Sequence, residues 1–200
     1  MGIRSQNNPI AAYLDVFSNT GTDAVTAAPD PSGLTASGGV ISDYTDGPAV
    51  YRAHIFTSSG TFDVTELGTF GDTVEYLVVG GGGGGGGYGG GGGGGGGFRT
   101  NKSGHPVVSP LGALAVTVQP YAVVIGAGGA AGAAAAGAAG DGTSGGNSEF
   151  YPPSHNSYPA TQFIRGAGGG GATGFARGNG TASPGGSGGG GGGENTNGTT

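Results

Sequence analysis

The chain has no cysteine, no tryptophan and one methionine in 200 residues. Without cysteine, no disulfide and no thiolate metal site can staple the fold, and redox chemistry gives no reading of compartment. Charge is also scarce. Six Lys/Arg face twelve Asp/Glu, for a formal net charge of −6. A nucleic-acid binder clusters its basic residues. Here Arg4, Arg52, Arg99, Lys102, Arg165 and Arg177 stand singly, which argues against DNA or RNA as a partner. Long apolar runs are missing as well: none reaches the roughly 18 residues of a spanning helix, so no membrane insertion is expected. The first residues show no basic stretch followed by an apolar one, which predicts no export signal. Met1-Gly2 lacks the Ser or Thr at position six that myristoylation favours; Gln6 stands there.

What the chain has is glycine. The 54 glycines and 11 prolines fill 65 positions, above the roughly 25–30% level usual for low-complexity chain. Yet charged residues make up only 9%, and disordered chains are typically rich in charge. The contradiction is sharpest at VEYLVVGGGGGGGGYGGGGGGGGGF, residues 74–98. Glycine loses more backbone freedom on folding than any other residue and has no side chain to bury. Such a tract is either a spacer or a packing surface made of backbone. The low charge favours packing.

Strand patterns surround the glycines. AVYRAHIFTSSGTFDVTEL alternates, and its SSG reads as a turn, so 50–57 and 60–65 are expected to form a β-hairpin. VEYLVV predicts a strand at 74–79. ALAVTVQPYAVVIG predicts two more, 113–118 and 121–125, broken at Gln119-Pro120, since proline cannot sit in a central strand. NSEFY and TQFIRG add 147–151 and 161–165. Seven short strands of this kind predict a mainly β fold, a small β-sandwich. Glycine blocks fall at 80–97, 126–146, 166–180 and 185–193, the first three directly after a strand. Strands leaving one end of a sandwich would lay these blocks side by side. Glycine readily takes the polyproline II conformation, a threefold extended helix with no internal hydrogen bonds. Its N–H and C=O groups then need lateral partners. Packed helices of the polyglycine II type are therefore expected, with Gly→Val inside 81–87 or 89–97 as the spoiling change. Ordering costs about 1–2 kcal/mol per residue against about 0.5–1.5 per net hydrogen bond, so a partner subunit is expected to help.

Residues 1–48 show no strong period and read as an extended N-terminal arm, with 49–200 the glycine-rich β domain. AAYLDVF at 11–17 and the residue before it supply small apolar anchors for assembly: Ile10, Leu14 and Phe17.

Several motifs carry no chemistry. GxGxxG is satisfied trivially in polyglycine. A dinucleotide fingerprint also needs a following helix and an acid about 20 residues on, and no Asp or Glu lies between Glu75 and Asp141. His54, His105 and His155 are too scattered for the clustered spacing of a metal site. The pairs Asp63/Glu66 and Asp43/Asp46 suit solvated turns and strand ends better than acid–base work. The sequons at Asn179 and Asn197 have no export signal beside them, and repeated glycines break the alanine block at 127–140 as a helix. No catalytic residue, cofactor or metal is expected. Aromatics with polar reach are favoured at interfaces, which makes Tyr88, Phe98, Arg99, Tyr151, His155 and Tyr158 the candidate contacts with a receptor or glycan; the other reading makes the aromatics, with Phe150 and Phe175 among them, plugs that cap the glycine bundle or join subunits.

The order HIFTSSGTF, VEYLVVGGGGGGGG, GGFRT, LAVTVQPYAVVIGAGG, FIRGAGGGG and GGSGGGGGG resembles the glycine-rich domain of bacteriophage tail-fibre and adhesin proteins, from about residue 51 to the end. The resemblance implies a virion structural protein made in the host cytoplasm, a homo-oligomer that is trimeric or higher, with the glycine blocks forming a polyglycine sandwich and the loops reaching toward a host surface glycan or protein. The arm would bind other virion proteins, so a capsid or tail decoration fits as well as a fibre. Two other readings stand beside it: a self-assembling cell-surface filament or matrix protein, and a glycan-binding module.

Overall fold

A computed structural model describes residues 32–102, 114–134, 139–151, 164–175 and 182–192. The chain divides into two units, Met1–Ser32 and Gly33–Thr200; of the first, only Ser32 is among the described residues. The anchors Ile10, Leu14 and Phe17 therefore lie outside them.

The second unit is mainly β, with no α-helix among the described residues. Those residues form eleven strands in chain order: β1 (Thr35–Ser37), β2 (Val40–Asp46), β3 (Ala49–Ile55), β4 (Gly60–Glu66), β5 (Thr73–Val74), β6 (Leu77–Val79), β7 (Phe98–Thr100), β8 (Leu114–Ala115), β9 (Pro120–Val124), β10 (Ser148–Tyr151) and β11 (Ile164–Gly166). One antiparallel sheet has the order β1-β4-β9-β10-β11; three two-stranded ribbons pair β2 with β3, β5 with β8 and β6 with β7. The β6–β7 ribbon lies against β10 and β11.

Period-two patterning explains the core. Phe62 and Val64 of β4 and Tyr121 and Val123 of β9 alternate inward and join Val116. Leu34, Ala36, Phe56, Val74, Leu114, Ile125 and Phe150 pack around them. Pro120, expected in the break before the strand, is instead the first residue of β9, which lies between β4 and β10; at that end position its missing N–H is tolerated. The buried Tyr121 ring also ties the preceding turn: its hydroxyl accepts from the Thr117 N–H at 2.7 Å and from Gln119 Nε2 at 3.0 Å.

Three further expectations are corrected. The stretches 50–57 and 60–65 are strands but not hairpin partners. β3 pairs with β2 in the register Val40↔Ile55 to Asp46↔Ala49, while β4 lies between β1 and β9. The real hairpin turn is Gly47-Pro48, with Gly47 at φ 61, the first central position where a tight hairpin loop demands glycine. In consequence β1 and β2 fall inside the 1–48 stretch read as an arm. The link between them needs glycine too: Gly38 has φ 105, and a Cβ there would strike the Thr61 carbonyl. The expected strand 74–79 is interrupted. Tyr76 N–H donates to Asn101 Oδ1 at 2.8 Å, and Asn101 Nδ2 donates to the Val74 carbonyl at 2.9 Å. The carboxamide stands in for a strand neighbour between β5 and β6. Lastly, 113–118 shortens to β8, beyond which Val116 is fully buried, its N–H bonded to the Asp72 carbonyl.

Candidate functional site

Seven glycine-rich segments leave or return to the strands: I (80–87), II (90–97), III (126–134), IV (139–147), V (167–175), VI (182–186) and VII (187–192). Their backbones bond sideways to each other on a period of three. Gly80, Gly83 and Gly86 donate to Gly97, Gly94 and Gly91 on segment II, whereas Gly81, Gly84 and Gly87 donate to Gly146, Thr143 and Gly140 on segment IV. Segment V is the centre, and Gly168–Gly174 are all buried. Its carbonyls from Ala167 to Thr173 accept, in turn, from the N–H groups of Gly97, Gly186, Gly145, Gly94, Ser183, Gly142 and Gly91. The donors come from segments II, VI and IV, repeated in that order. Meanwhile the N–H groups of Gly169, Ala172 and Phe175 reach segment I, and those of Gly170 and Thr173 reach segment VII.

Close approach of this kind needs the missing side chains. A Cβ built on Gly169, Gly170 or Gly171 would collide with the backbone of segments II, VI and IV respectively, closer than any real Cβ comes. The outer residues Gly92, Gly95, Gly188 and Gly191 instead look into open space. Side chains close the lattice where glycine gives way: Gly174 N–H donates to Asp141 Oδ1 at 2.9 Å, Gly168 N–H to Asn147 Oδ1 at 3.0 Å, and Ala130 N–H to Thr143 Oγ1 at 2.8 Å.

The candidate contact residues do not form one site. Tyr88 lies at the turn between segments I and II, at the end of the bundle away from the strands. Tyr88 and Gly89 both have positive φ, 47 and 74, and Gly90 N–H closes the turn on the Gly87 carbonyl at 3.1 Å. The Tyr88 ring meets Phe175 edge-on, with 5.9 Å between centroids, and Tyr88, Gly89 and Phe175 line a shallow, open depression of about 330 Å³. Phe98, Arg99 and Tyr151 are strand residues at the opposite end, on β7 and β10. Arg99 is exposed and folds back to donate from Nη1 to the Phe98 carbonyl at 2.9 Å. His155 and Tyr158 lie outside the described residues. Phe175 is among the aromatics singled out in the sequence, but nothing in FARG marks it as the partner of a tyrosine 87 positions earlier.

A second surface goes unmarked by any motif. The β2–β3 ribbon exposes Val40, Ile41, Tyr44, Val50, Tyr51 and Ile55. Tyr44 and Tyr51 stack across the strands at 5.4 Å. Asp43 and Arg52 make a two-pronged ion pair at 2.8 and 2.9 Å. The Arg52 hydrogen bond holds the Asp43 carboxyl below its usual value, and the same bond raises Arg52. Lys102 joins Glu75 at 3.1 Å and lies 5.7 Å from the centre of the Tyr51 ring; its ammonium is raised chiefly by the Glu75 hydrogen bond. His54 is engaged in the fold, its Nδ1–H donating to the Gly38 carbonyl at 2.8 Å and its ring edge-on to Phe62. Among the described residues, no three His, Asp or Glu side chains are grouped to hold a metal, and no helix is long and apolar enough to cross a membrane.

Residues 57–200 match the family described as "Glycine-rich domain". The chain belongs to the glycine-rich domain family. The match begins in the link between β3 and β4, so this glycine-rich domain borrows β1, from outside the matched span, as the sheet neighbour of β4. Among curated proteins and solved structures nothing matches the chain.

Proposed function

We propose that this glycine-rich domain is a non-enzymatic structural protein of a bacteriophage particle, a tail fibre or a capsid or tail decoration, whose glycine segments are polyglycine II helices packed into a stiff block. The observation that carries the reading is the repeating donor order along Ala167–Thr173. A threefold extended helix with about 3.1 Å rise turns each third residue toward the same neighbour; at that rise the eight residues of segment I would span about 25 Å. A lattice of this kind withholds its backbone from solvent without a large apolar core, which suits a part that bears load rather than one that turns over substrate. The resemblance of the strand–glycine order to phage tail-fibre and adhesin domains supplies the particle. In this reading the protein is a homo-oligomer of three or more copies, the stretch before Gly33 contacts other virion proteins, and host attachment is a further role.

A second reading, a glycan-binding module, draws on one feature: the exposed Tyr88 ring beside Phe175 is a small aromatic platform of the sort on which a sugar ring can stack. The third, a cell-surface filament, shares the lattice and differs in assembly, its copies exchanging strands through their arms along an open fibre instead of closing into trimers. Gold-labelled antibody against the purified chain separates the readings by electron microscopy. Labelling at a fixed place on purified phage particles is the expected outcome. Labelling confined to filaments on cells would overturn it, and glycan-array binding that depends on Tyr88 would favour the sugar module.

A further inference from the structure

A glycine tract has no register of its own. Segments I and II are glycine throughout, so sliding one past the other by three residues remakes the same bonds, and register is weakly specified in glycine-rich chain. Some other part of the molecule must choose it.

The strand pairing supplies the choice. In the β6–β7 ribbon Leu77 faces Thr100, Val78 faces Arg99 and Val79 faces Phe98. The next bonds are Gly80 to Gly97, Gly83 to Gly94 and Gly86 to Gly91. Each step forward on one arm is matched by an equal step back on the other, without slip, from Leu77 to the Tyr88 turn. The same continuity recurs twice. Glu149 faces Val124 between β10 and β9, and the ladder runs on as Gly146 to Ala127, Thr143 to Ala130 and Gly140 to Ala133. Ser148 faces Gly166 between β10 and β11, followed by Gly145 to Gly169 and Gly142 to Ala172. Three strand pairs thus run into three segment pairs in unbroken register. The side chains that fix those strands are of the kind the glycines lack: Ile164 and Val123 are buried, and Arg165 holds Glu149 across the β10–β11 pair at 2.7 Å.

We propose that the β-strands are a register template for the glycine lattice: they set the phase of each segment, and the glycines propagate it. The Tyr88–Phe175 contact at the far end then follows from the register and does not select it.

The test inserts one, two or three glycines between Val79 and Gly80 in the full chain and reads amide hydrogen exchange by NMR. The probes are the N–H groups of Gly169 and Ala172, which donate to Gly81 and Gly84 of segment I. The control is Thr143, whose N–H pairs segment IV with segment III. Every added residue is itself glycine, so a phase counted from β6 is refilled unchanged: Gly169, Ala172 and Thr143 should all stay protected, and the extra length should collect at the turn and carry the Tyr88 ring off Phe175. Ring-to-ring NMR contacts between Tyr88 and Phe175 that survive a single insertion, or exchange at Gly169 and Ala172 that quickens by about tenfold or more, overturn the proposal. Tyr88→Gly is the second arm, and it decides the matter if the insertions unfold the chain. A strand-set register leaves one set of glycine signals with the same protected amides; a register chosen at the tip splits them into several sets.

Discussion

The sheet and the glycine bundle solve one problem with opposite means. In the sheet, Phe62, Val64, Tyr121 and Val123 fill space, and stability comes from apolar area removed from water. In the bundle, residues 168–174 of segment V are buried too, yet Gly168–Gly171 and Gly174 bring no side chain to fill space, and what is buried there is mostly peptide. Taking atoms away harms the first region; adding atoms harms the second. The two are coupled through the strand ends, where a buried Ile164 gives way within two residues to backbone packed on backbone.

The strongest way to break the comparison is Gly170→Val. A Cβ there meets the Ser183 carbonyl, and no flexible side chain can move aside. Overpacking usually costs about 1–3 kcal/mol; with backbone as the obstacle, roughly 4 kcal/mol is expected, at the severe end for a single change. Chemical denaturation with far-UV and amide-exchange readouts checks it. Phe62→Ala probes the other region. It leaves a hole beside Tyr121, Phe150 and His54 and should cost about 3–4 kcal/mol, in the range for a buried aromatic. If Gly170→Val proves the milder of the two, the bundle is looser than its hydrogen bonds imply.

Much of this division is legible from the residues. The alternation of Phe62 and Val64 and the phrase of strand followed by glycine state local rules that the fold obeys. What escapes a reading of the residues depends on partners distant in the chain. The SSG at 58–60 has the chemistry of a hairpin turn, but the chain passes there from one sheet to another, and the true loop sits at Gly47-Pro48, after a stretch in which the three-residue β1 and the exposed β2 show little period. Asn101 has no signal that would announce it as a stand-in for a strand between Val74 and Tyr76. The tip contact is similar. Tyr88 stands out as the one side chain in its tract, whereas Phe175 acquires meaning only once segment V is known to end beside Gly87.

Gly92→Ala sharpens the comparison from within the bundle. Gly92 is chemically the same residue as Gly170, in the same kind of segment, but its outward direction is open and its φ is not positive. Alanine there restricts the unfolded chain without strain in the folded one, and should stabilise by about 0.4–1 kcal/mol. Opposite signs at Gly92 and Gly170 would show that direction within the lattice, not glycine content, carries the stability; thermal unfolding of the two variants side by side is the measurement.

The smallest effect belongs to neither region but to the β2–β3 ribbon, and it is one of pH. The Arg52 hydrogen bond lowers the folded-state Asp43 carboxyl below its ordinary value of 3.8, while Arg52 stays charged throughout. A depressed carboxyl contributes stability that is present above its unfolded pKa and is lost as pH falls through the folded one. Arg52→Ala should therefore lower the unfolding temperature slightly at about pH 6, and the difference should shrink as pH falls through the folded Asp43 pKa, below which the carboxyl is protonated in both proteins. Both side chains are about half exposed, at 56% and 48%, so salt should screen the difference as well. A gap between the two proteins that persists in acid would mean that Arg52 acts through the packing of its aliphatic stem on the ribbon and not through its charge.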